Sequence, residues 1–175
     1  PDARRRYARR LDIWDIPTGR TLHVLDDYSH YWDPAYAGGA RINSNSWGTS
    51  DTTTYTLKAR MHDAYSWTHR DFLILRSAGN NAIGPLRSEA VAKDILSIGA
   101  TLNDAQGETL ADFSPIGTTD DGRIKPDLVL PGDCVRGPDI STPTSYVCLS
   151  GTSFSTPLAA ASAALVRDYF QKGYY

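Results

Sequence analysis

A chain of 175 residues with 41% hydrophobic and 22% charged residues can form one domain with a sizeable core. Its formal net charge of −2 carries no footprint for nucleic acid and none for a strongly acidic partner. No long apolar run is present, so no segment reads as a membrane-spanning helix.

The chain opens on Pro1 without a signal-peptide pattern and reads as a piece of something longer. Arg4, Arg5, Arg6, Arg9 and Arg10 form a solvated lead-in, since the basic excess does not continue. Leu11, Ile13, Trp14 and Ile16 predict a short strand ended by Pro17-Thr18-Gly19. Residues 20–40 are loop-like, with Tyr36-Ala37-Gly38-Gly39-Ala40 ending a helical turn. His23 and His30 have acidic neighbours (Asp26, Asp27, Asp33) but lack the spacing of a metal-ligand pair, and read as surface residues. Ala40-Arg41-Ile42-Asn43-Ser44-Asn45 leads as a strand into Ser46-Trp47-Gly48.

Leu57, Met61, Ala64, Tyr65 and Trp67 recur at roughly helical spacing, which predicts an amphipathic helix over one sheet face. His62 and His69 are placed on its surface. Phe72-Leu73-Ile74-Leu75 is a continuous apolar run, the mark of a strand buried on both faces of a parallel sheet. A helix followed directly by such a strand points to α/β layering. The following Ser77-Ala78-Gly79-Asn80-Asn81 then sits at a strand's carboxyl end, where α/β proteins place ligands. Gly79 allows close backbone approach; Asn80 offers an amide donor, or else a turn asparagine. Ile95-Leu96-Ser97-Ile98-Gly99-Ala100 reads as another buried strand, and Asp121 to Gly132 as a turn and strand.

Cys134 and Cys148 bracket the polar segment Val135 to Val147. One pair without Cys-x-x-Cys speaks against zinc, leaving a disulfide, the favoured reading, or two unrelated buried thiols. The disulfide would fit a secreted or lumenal protein. Last comes Leu149-Ser150-Gly151-Thr152-Ser153-Phe154-Ser155-Thr156-Pro157, running into an alanine-rich helix to about Phe170. Pro157 suits a first helical turn, and Phe154, Leu158, Ala161 and Leu165 form an apolar stripe. Ser153 is either a capping serine or a nucleophile in the positive field of the helix N-terminus, where charge can develop during attack on a carbonyl.

Gly-Thr-Ser-Phe-Ser-Thr-Pro resembles the nucleophile signature of the subtilases, the subtilisin-like serine proteases (peptidase family S8). Two further segments match that family in order: Asn45-Ser46-Trp47-Gly48, where an exposed strand edge pairs with the substrate backbone, and Ala78-Gly79-Asn80. The match is closest to the branch of bacterial alkaline proteases and multidomain eukaryotic subtilases, and covers roughly residues 8–170. Sedolisins share a similar serine signature but place an Asp where this chain has Asn80.

The resemblance implies a three-layer α/β/α fold with a mainly parallel sheet, and assigns residues 1–175 to the C-terminal part of a catalytic domain. It makes Ser153 the nucleophile and Asn80, with the Ser153 backbone N–H, the oxyanion donor. It lays a protein or peptide substrate along Ser46, Trp47, Gly48, Ser77, Ala78 and Gly79, with Thr152 beside the nucleophile. Catalysis in this family needs no cofactor. Structural calcium is common in it, but no ligand set in this chain is complete enough to name.

Departures are local. Ser88-Glu89-Ala90 lacks a proline found nearby in relatives, at the wall of the first specificity pocket. Pro115 and Thr118 stand out in Phe113-Ser114-Pro115-Ile116-Gly117-Thr118, as do Leu130, Leu158 and Ala161. Neither the Asp-(Ser/Thr)-Gly nor the His-Gly-Thr-His motif is present, although serine chemistry needs a base and a carboxylate to orient it. The expectation is an endopeptidase acting through an acyl-enzyme on Ser153, its base supplied by upstream sequence of the same catalytic domain. The alternative is a catalytically dead scaffold that binds peptides.

Overall fold

The computed structural model describes residues 27–82 and 84–174. The chain divides into two compact units, Pro1–Arg41 and Ile42–Tyr175. In the first, helix α1 (Ser29–Ala37) occupies part of the segment read from sequence as loop. The Ser29 N–H donates to the Asp27 carboxylate at 2.9 Å, and the helix ends at Gly38 and Gly39. The strand expected over Leu11–Ile16, the arginine-rich lead-in and His23 lie outside the described residues.

The second unit contains, in order, β1 (Ile42–Asn45), β2 (Asp51–Thr52), α2 (Leu57–Thr68), β3 (Leu73–Ser77), β4 (Leu86–Arg87), β5 (Leu96–Thr101), β6 (Gly117–Thr118), β7 (Ile124–Lys125), β8 (Leu128–Pro131), β9 (Val135–Pro138), β10 (Tyr146–Leu149) and α3 (Thr152–Gln171). A 3-10 turn, Ser88–Val91, follows β4, and another, Asp104–Gln106, follows β5. Four strands make one parallel sheet in the order β1-β3-β5-β8, with Ile42 opposite Leu73, Leu75 opposite Leu96 and Ile98 opposite Leu128. The remaining strands form antiparallel pairs: β2 with β4, β6 with β7, β9 with β10.

Side-chain parity along β3 fixes the layers. Leu75 packs with Ile98 and Ala159 of α3, together with Ile42, Leu73, Leu96 and Leu130. The next residue, Arg76, donates from Nε to His62 of α2 at 2.8 Å. Successive residues of a strand point to opposite faces, so α3 and α2 lie on opposite sides of the sheet. The result is the expected three-layer α/β/α arrangement.

Both helices bury a face different from the one their apolar spacing predicts. In α2 the buried residues are Ala59, His62 and Tyr65, whereas Leu57 and Trp67 are exposed. His62, expected at the surface, is fully buried. Burial is possible because both ring nitrogens are satisfied, Nε2 by Arg76 and Nδ1 by the Lys58 carbonyl oxygen at 2.7 Å. His69 is half-buried and stacks on Tyr65 with ring centroids 4.0 Å apart.

In α3 the buried residues are Thr152, Ser155, Thr156 and Ala159, while Leu158 and Leu165 are exposed. Small and hydroxyl-bearing side chains let the helix start approach the sheet, and each buried hydroxyl finds an acceptor. Ser155 Oγ donates to the Leu130 carbonyl oxygen (2.9 Å) and Thr156 Oγ1 to that of Thr152 (2.7 Å). Thr56 caps α2, its hydroxyl accepting from the Ala59 N–H at 3.2 Å.

Candidate active site

The parallel sheet brings three loops together at the carboxyl ends of its strands: Ser46–Gly48 after β1, Ala78–Asn80 after β3, and Gly151–Ser153 at the start of α3. A reciprocal pair joins the first and third. Ser46 Oγ donates to the Ser153 carbonyl oxygen (2.9 Å), and Ser153 Oγ donates to the Ser46 carbonyl oxygen (3.3 Å). The strand edge read from sequence is thus held against the serine, although 107 positions separate them.

The second loop is locked to the third through Thr152. The Thr152 N–H donates to Asn80 Oδ1 at 2.9 Å, and this fixes which end of the amide is oxygen. Thr152 Oγ1 accepts from the Gly79 N–H (3.2 Å) and lies 2.9 Å from the Gly79 carbonyl oxygen and 3.0 Å from Asn80 Oδ1. Gly79 adopts a φ of +124°, which an L side chain would strain. The Asn80 Nδ2 group is left with no protein acceptor among the described residues, and the same holds for the Ser153 N–H. Both donors lie beside Gly151: a methyl group there would lie 3.3 Å from Asn80 Nδ2, 3.6 Å from Asn80 Oδ1 and 3.7 Å from the Ser153 nitrogen. Two unpaired N–H donors at the positive end of a 20-residue helix suit an oxygen that gains negative charge.

Not every residue singled out in the sequence is exposed. Asn80 and Ser46 are exposed and Ser153, Trp47 and Gly48 half-buried, but Ser77, Ala78, Gly79 and Thr152 are buried. Ala78 uses both its backbone groups internally, N–H to the Ile98 carbonyl oxygen (2.9 Å) and carbonyl oxygen to the Arg87 N–H (2.8 Å). Both groups are therefore engaged within the protein. Trp47 carries the Arg76 guanidinium over its ring, 4.1 Å from the centroid.

Among the described residues no imidazole lies within hydrogen-bond reach of Ser153. His62 is excluded chemically as well as by position. Arg76 is always a donor, so His62 Nε2 must be the acceptor and Nδ1 carries the proton. Burial foremost, then the Arg76 charge, lowers its pKa from 6.5 to about 3. No cluster of three or more His, Cys, Asp or Glu side chains suited to a metal occurs among the described residues. A cavity of about 470 Å³ lined by Ser66, Trp67, Arg70 and Arg167 opens far along α3 from Ser153.

Cys134 and Cys148 form a disulfide. It closes the β9–β10 hairpin just ahead of the serine loop. The Cys134 N–H donates to Ser150 Oγ (2.9 Å), Ser150 Oγ donates to Asp133 (2.6 Å), and the Gly151 N–H donates to the Gly132 carbonyl oxygen (2.9 Å). Two features escaped sequence reading, the buried Arg76–His62 pair and the position of Arg87 between Gly48 and Gly79. Neither leaves a local pattern, because each depends on elements distant in the chain.

Known proteins resemble this chain along most of its length. The serine protease/ABC transporter B family protein tagD of Dictyostelium discoideum is 28% identical over 94% of this chain and 14% of its own length. C5a peptidase of Streptococcus pyogenes is 39% identical over 40% of this chain and 6% of its own length. Among solved structures, the self-cleaved protease domain of PatA is 27% identical with a TM-score of 0.63, covering 83% of this chain and 52% of that one. The prenylagaramide maturation protease PagA is 26% identical, also at 0.63, covering 83% and 50%. The chain therefore spans about half of the solved relatives and a small part of the curated ones. Residues 23–174 match the subtilase family model (Peptidase_S8), and the chain belongs to that family.

Proposed function

We propose that the complete protein is a serine endopeptidase in which Ser153 attacks the scissile carbonyl. Asn80 Nδ2 and the Ser153 N–H receive the oxyanion, and a peptide lies extended along Ser46–Gly48. The carrying observation is the Asn80 amide, whose oxygen accepts from the Thr152 N–H at 2.9 Å and whose nitrogen has no protein acceptor among the described residues. An amide locked in this way costs no reorganisation when charge appears. In this reading a base removes the Ser153 hydroxyl proton and passes it to the leaving amine; water then releases the acyl group by the reverse path. The base and its orienting aspartate come from upstream sequence of the same catalytic domain, as the family's Asp, His, Ser order requires. No cofactor is needed, since every group involved is a side chain or backbone N–H. The Cys134–Cys148 disulfide supports placement in an oxidising compartment, secreted or lumenal.

The test treats the full-length gene product with a fluorophosphonate probe and maps the adduct by mass spectrometry. Label on the peptide containing Ser153, lost in Ser153→Ala, is the expected result. Absence of label on well-folded protein would sink the hydrolase reading and leave a peptide-binding scaffold.

A further inference from the structure

Two glycines of the candidate groove, Gly48 and Gly79, face the same side chain. A methyl group on Gly48 would lie 2.9 Å from each of Cβ, Cγ and Cδ of Arg87. On Gly79 it would lie 3.6 Å from Arg87 Cγ and 3.7 Å from Pro115 Cγ. The methylene stem of Arg87 therefore fills the slot between the loop after β1 and the loop after β3.

Arg87 is tied down at both ends. Its N–H donates to the Ala78 carbonyl oxygen (2.8 Å), and the Ser88 N–H donates to that of Ser50 (2.7 Å). In the β2–β4 ladder it stands opposite Asp51, and its Nη1 lies 3.0 Å from Asp51 Oδ1. The Asn81 amide donates to the other oxygen of the same carboxylate. The side chain is one-third exposed, so the slot has a mouth but is filled by the stem.

We propose that Arg87 is a specificity-determining residue that restricts the side chain on the acyl side of the scissile bond to a short one, such as Gly, Ala or Ser. This rests on the endopeptidase reading. A scissile carbonyl oxygen seated between Asn80 Nδ2 and the Ser153 N–H places the adjoining Cα beside Gly79, and its side chain enters the opening that Gly79 and Gly48 flank. An aromatic ring there requires about 150–250 Å² of buried contact surface. Admitting it means expelling the Arg87 stem and separating the guanidinium from Asp51. A short side chain demands neither. Asp51 already neutralises Arg87, so length is selected rather than charge.

The test compares kcat/KM of the full-length protein on peptides that differ only in that residue, Ala, Phe or Glu, with Ser153→Ala as the control. Ala is expected to exceed Phe by about 10- to 100-fold, the range that pocket sterics supply. Arg87→Gly should raise Phe cleavage at least about tenfold. Asp51→Asn, which frees the guanidinium, should move the ratio in the same direction and serves should Arg87→Gly not fold. Ser153-dependent cleavage of the Phe peptide as fast as the Ala peptide by the unaltered protein overturns this inference alone, as does a preference for Glu. If no peptide is cleaved in a Ser153-dependent way, the endopeptidase reading falls and this inference with it.

Discussion

At Asn80 the two ends of one amide differ. Oδ1 accepts from the Thr152 N–H, and Nδ2 has no protein acceptor among the described residues. A carboxylate in its place could not supply the donor, and an apolar residue would supply neither bond. Asn80→Ala in the full-length protein should lower turnover by about 100- to 1,000-fold, a magnitude borrowed from the oxyanion asparagine of subtilisin. Acylation by the fluorophosphonate should persist at a reduced rate, since Ser153 remains. Turnover within threefold of the unaltered protein would remove Asn80 from the oxyanion site. The residue was legible in Ala78-Gly79-Asn80 as a candidate donor. Which of its atoms is free was not, because that depends on a partner 72 positions away.

The start of α3 is fixed from three directions: by Ser46, by Asn80, and by the hairpin that precedes it. The Cys134–Cys148 disulfide closes the hairpin at its base, with a sequence separation of 14. Cross-linking a loop of that size stabilises by about 3 kcal/mol in the chain-entropy account. Replacing both cysteines with Ser should lower the stability of the full-length protein by roughly that amount in urea unfolding. An unchanged midpoint would mean the hairpin is held by its ladder and the Ser150 contacts alone. The face of α3 turned to the sheet carries Ser155, whose hydroxyl bonds the Leu130 carbonyl oxygen of β8, and Ala159. Leu158 and Leu165 are exposed in a chain that spans about half of its solved relatives.

Across the whole molecule, the His62–Arg76 pair couples α2 to the central sheet, and its effect on stability depends on pH. His62 has a folded pKa of about 3, against 6.5 ordinarily, so the unfolded chain binds its proton first. Its contribution is fully present above pH 6.5 and is lost as pH falls from there toward 3, with a limiting slope of about 1.4 kcal/mol per pH unit. Urea midpoints measured from pH 7 to pH 4 should fall less steeply for His62→Gln, whose amide oxygen can still accept from Arg76. Equal slopes would show that His62 does not titrate on unfolding in this window.

The amino-acid sequence by itself, through its resemblance to the subtilases, determined the family and the fold class, and it singled out Ser153, Asn80 and the Ser46–Gly48 edge as candidates. These lie in local patterns: buried strand runs, glycine turns at strand ends, and a serine loop opening a helix. Tertiary structure alone decided that Ser46 and Ser153 bond each other, that His62 is buried against Arg76, and that the Arg87 stem lies between Gly48 and Gly79. Each of these depends on residues 8 to 107 positions apart, from Gly79 and Arg87 to Ser46 and Ser153. Local spacing carries the propensity of a segment, but contact across a parallel sheet depends on crossovers whose ends no short pattern records.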